Sequence, residues 1–97
     1  MAFVLVVAMK AMAGYEDEAA ALITELAAAS RQEPGAELYL TCRDPDDPGS
    51  FLLFEQYRDK AAFEAHGASE HFTRIAAGRL FGLLASRERT FYETFGG

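Results

Sequence analysis

The sequence predicts an α+β domain, in which helices pack on one face of an antiparallel sheet. Three observations support this class. The chain begins with an unbroken apolar run rich in β-branched residues, and apolar residues recur at intervals of three and four in two later segments. Between those segments, a cluster of turn-forming residues separates two further strand-like runs. The chain has 97 residues, 51% of them apolar, which predicts one domain over residues 1–97 with its own core.

The first half of the chain predicts a strand, a helix and a second strand. Phe3–Met12 is apolar at nearly every position, which favours a strand buried on both faces, and Gly14 ends it. Glu16–Arg31 carries the apolar stripe of a helix, with acidic residues at its start where the helix dipole favours them. Pro34 stops this helix, and Glu37–Arg43 forms the second strand.

The second half predicts the remaining four elements. Turn-forming residues fill Asp44–Ser50, which we expect to be a solvated loop leading to a third strand, Phe51–Arg58. A short helix over Lys60–His66, capped by Asp59, follows. A longer helix capped by Ser69 then carries apolar residues from Phe72 to Leu83 and Leu84, and Arg89–Phe95 forms the last strand. The order β-α-β-β-α-β is the ferredoxin-like arrangement.

One face of this sheet should remain open, because two helices cover only one side of four strands. The first strand is apolar on both faces, and Phe51–Arg58 is half apolar on each. Exposed apolar surface of that extent usually marks an interface. We therefore predict a homodimer whose sheets pack face to face, the alternative being a monomer that tolerates an apolar sheet face.

Composition excludes several functional classes. Fifteen acidic and nine basic residues give a net charge of −6, which argues against a nucleic-acid partner. The longest apolar run, Ala2–Met9, is far shorter than the roughly 20 residues of a membrane-spanning helix and lacks the basic flank of a signal peptide. A single cysteine, Cys42, excludes an internal disulfide and fits a reducing compartment. We expect a cytoplasmic protein without a membrane partner.

Residues suited to proton chemistry concentrate in one segment, which contains both histidines. Glu55 lies among apolar neighbours on its strand, where desolvation would raise its pKa; it is a tuned acid or a partner that orients a histidine, unless the position is open to water. His66 is on the inner stripe of its helix and suits proton transfer, the alternative being a core histidine bonded to a carbonyl. Tyr57 either donates a hydrogen bond to a substrate oxygen or only buries its ring.

Other kinds of site are not predicted. The two histidines and the single cysteine form no Cys/His metal set, and a zinc site normally needs three or four protein ligands, so we expect no metal. No glycine-rich phosphate loop is present, and the clustered Lys or Arg that a phosphorylated substrate needs are limited near this segment to Arg58 and Lys60.

The segment from Phe54 to Phe72, with its Glu, Tyr, Asp, Phe, Ser and two His at their positions, resembles the signature of the antibiotic biosynthesis monooxygenase family. The Arg43–Gly49 hairpin and the Glu33–Ala36 segment are similar as well, and the resemblance extends over nearly the whole chain. It implies a dimeric α+β barrel, with a pocket between the helices and the sheet of each subunit. Carried onto this chain, the catalytic positions are Glu55, Tyr57 and His66, and the substrate-binding positions are Phe63, His71 and Phe72.

The resemblance implies a cofactor-independent monooxygenase that oxidises a small phenolic, quinol or polyketide-type aromatic with molecular oxygen. His66 would be the base, Glu55 its orienting partner, and Tyr57 a hydrogen-bond donor to the substrate oxygen. An isomerase or cyclase that uses the same pocket without oxygen, and a small-molecule-binding module without turnover, are the alternatives.

This chain departs from the family pattern at three points. Haem-degrading members use an Asn in the first strand, and Phe3–Met12 has none, so we expect neither haem nor another cofactor. Tyr57 stands where many members have Trp. Gly67 replaces a bulkier apolar residue, which predicts a wider pocket.

Overall fold

An antiparallel sheet of four strands carries all the helices on one face. The computed structural model describes residues 1–96. Its elements are β1 (Phe3–Ala11), α1 (Glu16–Ser30), β2 (Ala36–Asp44), β3 (Asp47–Tyr57), α2 (Lys60–Gly67), α3 (Phe72–Leu80), a short 3-10 turn (Phe81–Leu83) and β4 (Leu84–Glu93). The strands lie in the order β2-β3-β1-β4 across the sheet, and this architecture confirms the predicted fold class. No helix in this part of the chain is long and apolar enough to cross a membrane.

The core lies between the inner face of the sheet and the helices. Alternate residues of β1 and β3 point inward and are buried, as the two-residue period of a strand requires. The apolar stripe of α1 packs on them, and α3 adds its own buried residues. The buried side chains of this core include Leu5, Val7, Met9, Leu22, Ile23, Leu26, Phe51, Leu53, Ile75 and Leu80. Full burial of such a side chain stabilises the fold by about 1.5–3 kcal/mol.

The predicted solvated loop over Asp44–Ser50 is wrong. The turn has only two residues, and β3 begins at Asp47. Two side-chain interactions support the strand at this point. Lys10 of β1 forms an ion pair with Asp47, and the Arg43 guanidinium donates a hydrogen bond to the Pro48 carbonyl at 2.7 Å. Strand pairing and these side-chain bonds therefore prevail over the turn propensity of the segment.

The last strand begins five residues earlier than predicted, at Leu84 instead of Arg89. The sequence placed Leu83 and Leu84 on the preceding helix. In the structure the Met12 amide donates to the Leu83 carbonyl at 2.8 Å, and Leu84 pairs with Ala11 of β1. Pairing with the end of β1 therefore makes this segment part of the last strand and not of the helix. α3 itself is wound as a π-helix, a rare geometry that often marks functional sites.

The outer face of the sheet is open in the single chain. β1 was predicted to be buried on both faces, but Ala8 and Lys10 on its outer face are exposed. Leu40 of β2 is 47% exposed and Leu52 of β3 is 41% exposed. Phe54, which pairs with Leu40 and Val6, continues the same apolar surface.

Candidate active site

An apolar cavity of about 140 Å³ lies between the inner face of the sheet and the helices α2 and α3. A cavity of about 150 Å³ with similar walls holds one benzene ring, so the enclosed space suits a single aromatic ring. The apolar walls include Leu5, Val7, Leu53, Phe63 and Phe72. The polar side chains that border it are Tyr39, Glu55, His66, Arg87 and Arg89.

His66 is held in one orientation by a carboxylate behind it. Its side chain is 2% exposed, and its Nδ1 lies 2.8 Å from Oε2 of Glu33. An ionised carboxylate only accepts hydrogen bonds, so Nδ1 of a neutral His66 carries the proton. Nε2 is then the unprotonated atom on the side of Glu55, with the geometry of a general base.

Glu33 joins both histidines. It lies between α1 and β2, and the same Oε2 is 2.5 Å from Nε2 of His71. The side chain of His71 is 20% exposed, so this chain of hydrogen bonds connects the buried His66 with the protein surface. A Cβ at Gly35 would lie 2.4 Å from the Cβ of Ala62, which shows how closely the Glu33 loop packs on α2.

Caps on α2 and α3 fix the two histidines. Asp59 begins α2 by accepting a hydrogen bond from the Ala62 amide at 2.8 Å. Ser69 joins the two helices, since its Oγ donates to the His66 carbonyl at 2.6 Å and accepts from the Phe72 amide at 3.2 Å. The sequence predicted both capping residues.

Glu55 is a buried acid and is 3% exposed, which excludes the alternative that it is open to water. Its Oε1 accepts a hydrogen bond from the Tyr57 hydroxyl at 2.5 Å and lies 3.8 Å from Nε2 of His66. Burial raises the pKa of Glu55, opposed by the Tyr57 hydrogen bond and the charge of His66. Because 3.8 Å exceeds hydrogen-bond length, Glu33, and not Glu55 as predicted, orients the imidazole.

Two predicted site residues do not border the cavity. Tyr57 is fully buried, and its hydroxyl bonds to Glu55, so it is not placed to donate to a substrate oxygen. His71 was assigned to substrate binding, but its Nε2 bonds to Glu33 behind His66. Phe63 and Phe72 do border the cavity, as does Gly67, beside which a Cβ would meet nothing within 4 Å.

Tyr39 is a site residue that the sequence analysis missed. Its ring borders the cavity, and its buried hydroxyl has no hydrogen-bond partner among residues 1–96. Ser30 and Glu55 are near this hydroxyl, but neither meets it in hydrogen-bonding geometry. Burial, with the charge of Glu55, raises the pKa of Tyr39, which keeps its proton available. Tyr39 lies opposite Glu55 in the β2–β3 register, a neighbourhood that only the pairing of the two strands creates.

The two histidines and Glu33 also form a possible metal donor set. One ligand atom from each lies within 4.8 Å of the others, and two imidazoles with a carboxylate suit several divalent ions. Ligand atoms about 2.1 Å from one metal stand about 3 Å or more apart. Here the oxygen is 2.8 Å and 2.5 Å from the nitrogens, so direct hydrogen bonds describe the cluster. The expectation of no metal stays a prediction.

Comparison with solved structures supports the same fold. A Pseudomonas aeruginosa protein shares 29% identity over 98% of this chain and 95% of its own, with a TM-score of 0.89. A Deinococcus radiodurans protein named for antibiotic biosynthesis monooxygenases shares 28% identity over 98% of this chain and 94% of its own, with a TM-score of 0.87. A structure named antibiotic biosynthesis monooxygenase shares 26% identity over 97% of this chain and 99% of its own, with a TM-score of 0.89.

No curated protein matches the sequence. The family model described as antibiotic biosynthesis monooxygenase matches residues 2–78, which include β1 to β3, both histidines and Glu33. This match confirms the resemblance seen in the sequence. The chain belongs to the antibiotic biosynthesis monooxygenase family.

Proposed function

We propose that the cavity is the active site of a cofactor-independent monooxygenase that oxidises a phenolic or quinol ring with molecular oxygen. The observation that carries this proposal is the buried His66, whose Nδ1 is fixed by Glu33 while Nε2 is left free beside an apolar cavity. Family membership supports a reaction of this general type. The substrate class and the use of oxygen go beyond what family membership supports and belong to the proposal.

The first step is removal of the phenolic proton. Nε2 of His66 accepts it, and Glu33 stabilises the resulting imidazolium through Nδ1–H. The Tyr39 hydroxyl, which has no partner among the described residues, donates to the phenolate oxygen. The apolar walls keep water from competing for that anion.

The second step is reaction with oxygen. The electron-rich phenolate transfers one electron to triplet dioxygen, and the resulting radicals combine into a ring peroxide. The ring carbon that carries the peroxide then loses its hydrogen as a proton while the O–O bond breaks, which leaves a quinone. One oxygen atom stays as the new carbonyl and the other leaves as water, whose two hydrogens come from the phenolic hydroxyl and the ring, so no external reductant is needed. We assign protonation of the departing oxygen to Glu55, whose pKa burial raises.

The size of the cavity narrows the substrate. Its volume of about 140 Å³ suits one ring, and a polycyclic substrate would have to extend through the mouth. Gly67 leaves space on one side of that ring. We therefore propose that the substrate is a single-ring phenol or quinol and not a larger polyketide-type aromatic.

The working unit in this proposal is a homodimer. The outer face of the sheet presents a contiguous apolar surface in which Leu38, Leu40 and Leu52 are each more than 40% exposed. Such a surface on a small chain usually marks an interface, and a second copy of the same face is self-complementary. The inner face and its cavity remain accessible in this arrangement.

A second candidate, an isomerase or cyclase, is favoured by one observation. A base, His66, and an acid, Glu55, border the same cavity with Nε2 and Oε1 3.8 Å apart. Such a pair can remove a proton from one atom of a substrate and return it to another. Product formed at full rate without oxygen would identify this reaction.

Oxygen consumption by the purified protein tests the proposal directly. The protein is treated with a chelator and assayed with hydroquinone and substituted hydroquinones, with and without added divalent metal. Uptake that needs no metal or cofactor, and that falls at least about a hundredfold in His66→Ala, supports the monooxygenase and its base. Uptake that requires metal, or a loss below about tenfold, contradicts it. Turnover without oxygen uptake indicates the isomerase, and a ligand bound unchanged indicates a binding module.

A further inference from the structure

Two arginines stand on the inner face of β4, where the neighbouring strand is apolar. Arg87 pairs with Met9 and Arg89 with Val7 of β1, and both arginines border the cavity. Phe91, two residues further, returns to the apolar pattern and pairs with Leu5. β4 is an edge strand, so the arginines lie at the mouth and their guanidinium groups reach solvent.

Neither arginine has an acidic partner. Among residues 1–96, no carboxylate lies within ion-pair distance of Arg87 or Arg89, although the protein has a net charge of −6. By contrast, Arg43, Arg58 and Arg74 each have an acidic partner within 4.0 Å. Arg31 and Arg79 are also without an acidic partner among the described residues, but neither borders the cavity, so Arg87 and Arg89 are the unpaired arginines that do.

Aromatic rings hold the two guanidinium groups at the mouth. Cζ of Arg87 lies 3.9 Å from the centre of the Phe81 ring, and Cζ of Arg89 lies 5.3 Å from that of Phe91. Burial, together with the charge of Arg89, lowers the pKa of Arg87. Two like charges held beside an apolar cavity are unfavourable alone, and an anion between them removes that repulsion.

We propose that Arg87 and Arg89 bind an oxyanion, a carboxylate or a phosphate, on the aromatic ring that the cavity holds. Residues two apart in a strand stand about 6.7 Å apart, which lets two guanidinium groups converge on one anion. This inference rests on the proposed use of the cavity as a substrate site, but not on the oxidation. The match to the family model ends at residue 78, before β4, so the pair lies outside it.

Calorimetric binding with three matched probes tests the inference without any turnover. The probes are hydroquinone, 2,5-dihydroxybenzoate and 4-hydroxyphenyl phosphate, titrated anaerobically into the wild-type protein. We expect at least one anionic probe to bind about tenfold or more tightly than hydroquinone. Added salt should weaken binding of that probe and leave binding of hydroquinone unchanged. Preference for the carboxylate, the phosphate or both supports the proposal and identifies the group.

Variants assign the effect to the pair. Arg87→Gln and Arg89→Gln should each remove most of the preference for the anionic probe. Arg79→Gln is the matched control, because Arg79 is an exposed arginine on α3 that does not border the cavity. If Arg87→Gln does not fold, Arg87→Lys keeps the charge but not the planar fork, and should weaken anion binding without removing its salt dependence.

Three results would overturn the inference: equal binding of all three probes, an anion preference that salt leaves unchanged, or an equal loss in Arg79→Gln. These results are separate from those that test the oxidation. A protein that prefers the anionic ring but consumes no oxygen would contradict the proposed function and leave this site intact. A protein that consumes oxygen but shows no preference for the anionic probes would contradict this anion site and leave the proposed function intact.

Discussion

Replacing Glu33 with Gln should slow proton transfer while leaving the fold nearly intact. Glu33 accepts from Nδ1 of His66 at 2.8 Å, and its negative charge matters most when His66 has taken up the substrate proton. Hydrogen bonds to charged groups contribute about 1.5–3 kcal/mol. Because the Glu33 side chain is 15% exposed, we expect the lost transition-state stabilisation to lie near the lower end of this range. About 1.5 kcal/mol corresponds to a rate about tenfold lower.

Steady-state oxygen uptake measures this effect. We expect kcat of Glu33→Gln to fall about tenfold with KM little changed, because Glu33 does not border the cavity and its contribution arises in the transition state. Gln retains an acceptor for Nδ1–H, so urea unfolding should show a loss of less than about 1 kcal/mol. Glu33→Ala leaves Nδ1–H of a buried ring unpaired and should cost about 1–3 kcal/mol.

A nearby acid provides the control. Within residues 1–96, Glu37 accepts a side-chain hydrogen bond only from the half-buried Gln56, so Glu37→Gln removes the same charge without touching His66. An unchanged kcat in Glu33→Gln, or an equal fall in Glu37→Gln, would refute the role of Glu33 as the support of the base. A rise in KM at constant kcat would instead place Glu33 in substrate binding.

Three further predictions concern stability and assembly. Burial raises the pKa of Glu55 above its ordinary value of 4.5, so its contribution to stability is complete below that pH and declines as pH rises through the higher native value. The free energy of unfolding of Glu55→Gln should therefore increase relative to that of the wild type as pH rises. A difference between the two proteins that does not change with pH would contradict the argument that burial raises this pKa. Gly35→Ala places a Cβ 2.4 Å from that of Ala62 and should destabilise the fold by about 1–3 kcal/mol in urea unfolding. Adding Ala62→Gly should restore part of that loss, and purely additive effects would show that the clash is not the cause. Leu40→Asp should convert the proposed dimer to monomers in analytical ultracentrifugation and speed labelling of Cys42, which lies on the same open face; a wild type that sediments as a monomer would contradict the proposed interface.

Periodicity alone predicted the order of strands and helices, because each element has one face that must be buried. It did not predict the tight hairpin between β2 and β3. Asp47–Ser50 has the composition of a loop, and only pairing with β2, together with Lys10 of β1, makes it a strand. Local propensity is a weak guide where tertiary pairing decides the outcome.

The site was predictable only in part. Glu55 and His66 were found because a polar residue on an apolar face is visible in the sequence. Glu33 and Tyr39 were missed because a loop 33 residues away from His66 and a neighbouring strand bring them to the cavity, and no local pattern encodes that approach. Whether His66 and Glu55 act in catalysis stays a prediction for the assays above.

The position of β4 at the edge of the sheet has a consequence for how such proteins diverge. Residues 33 to 71 supply the groups that handle protons, whereas β4 supplies the opposite wall of the cavity and pairs with one neighbour only. Substitutions on its inner face disturb few backbone bonds and none of the hydrogen bonds around His66. After gene duplication, one copy could acquire a different ligand preference through β4 while inheriting unchanged the machinery for proton transfer.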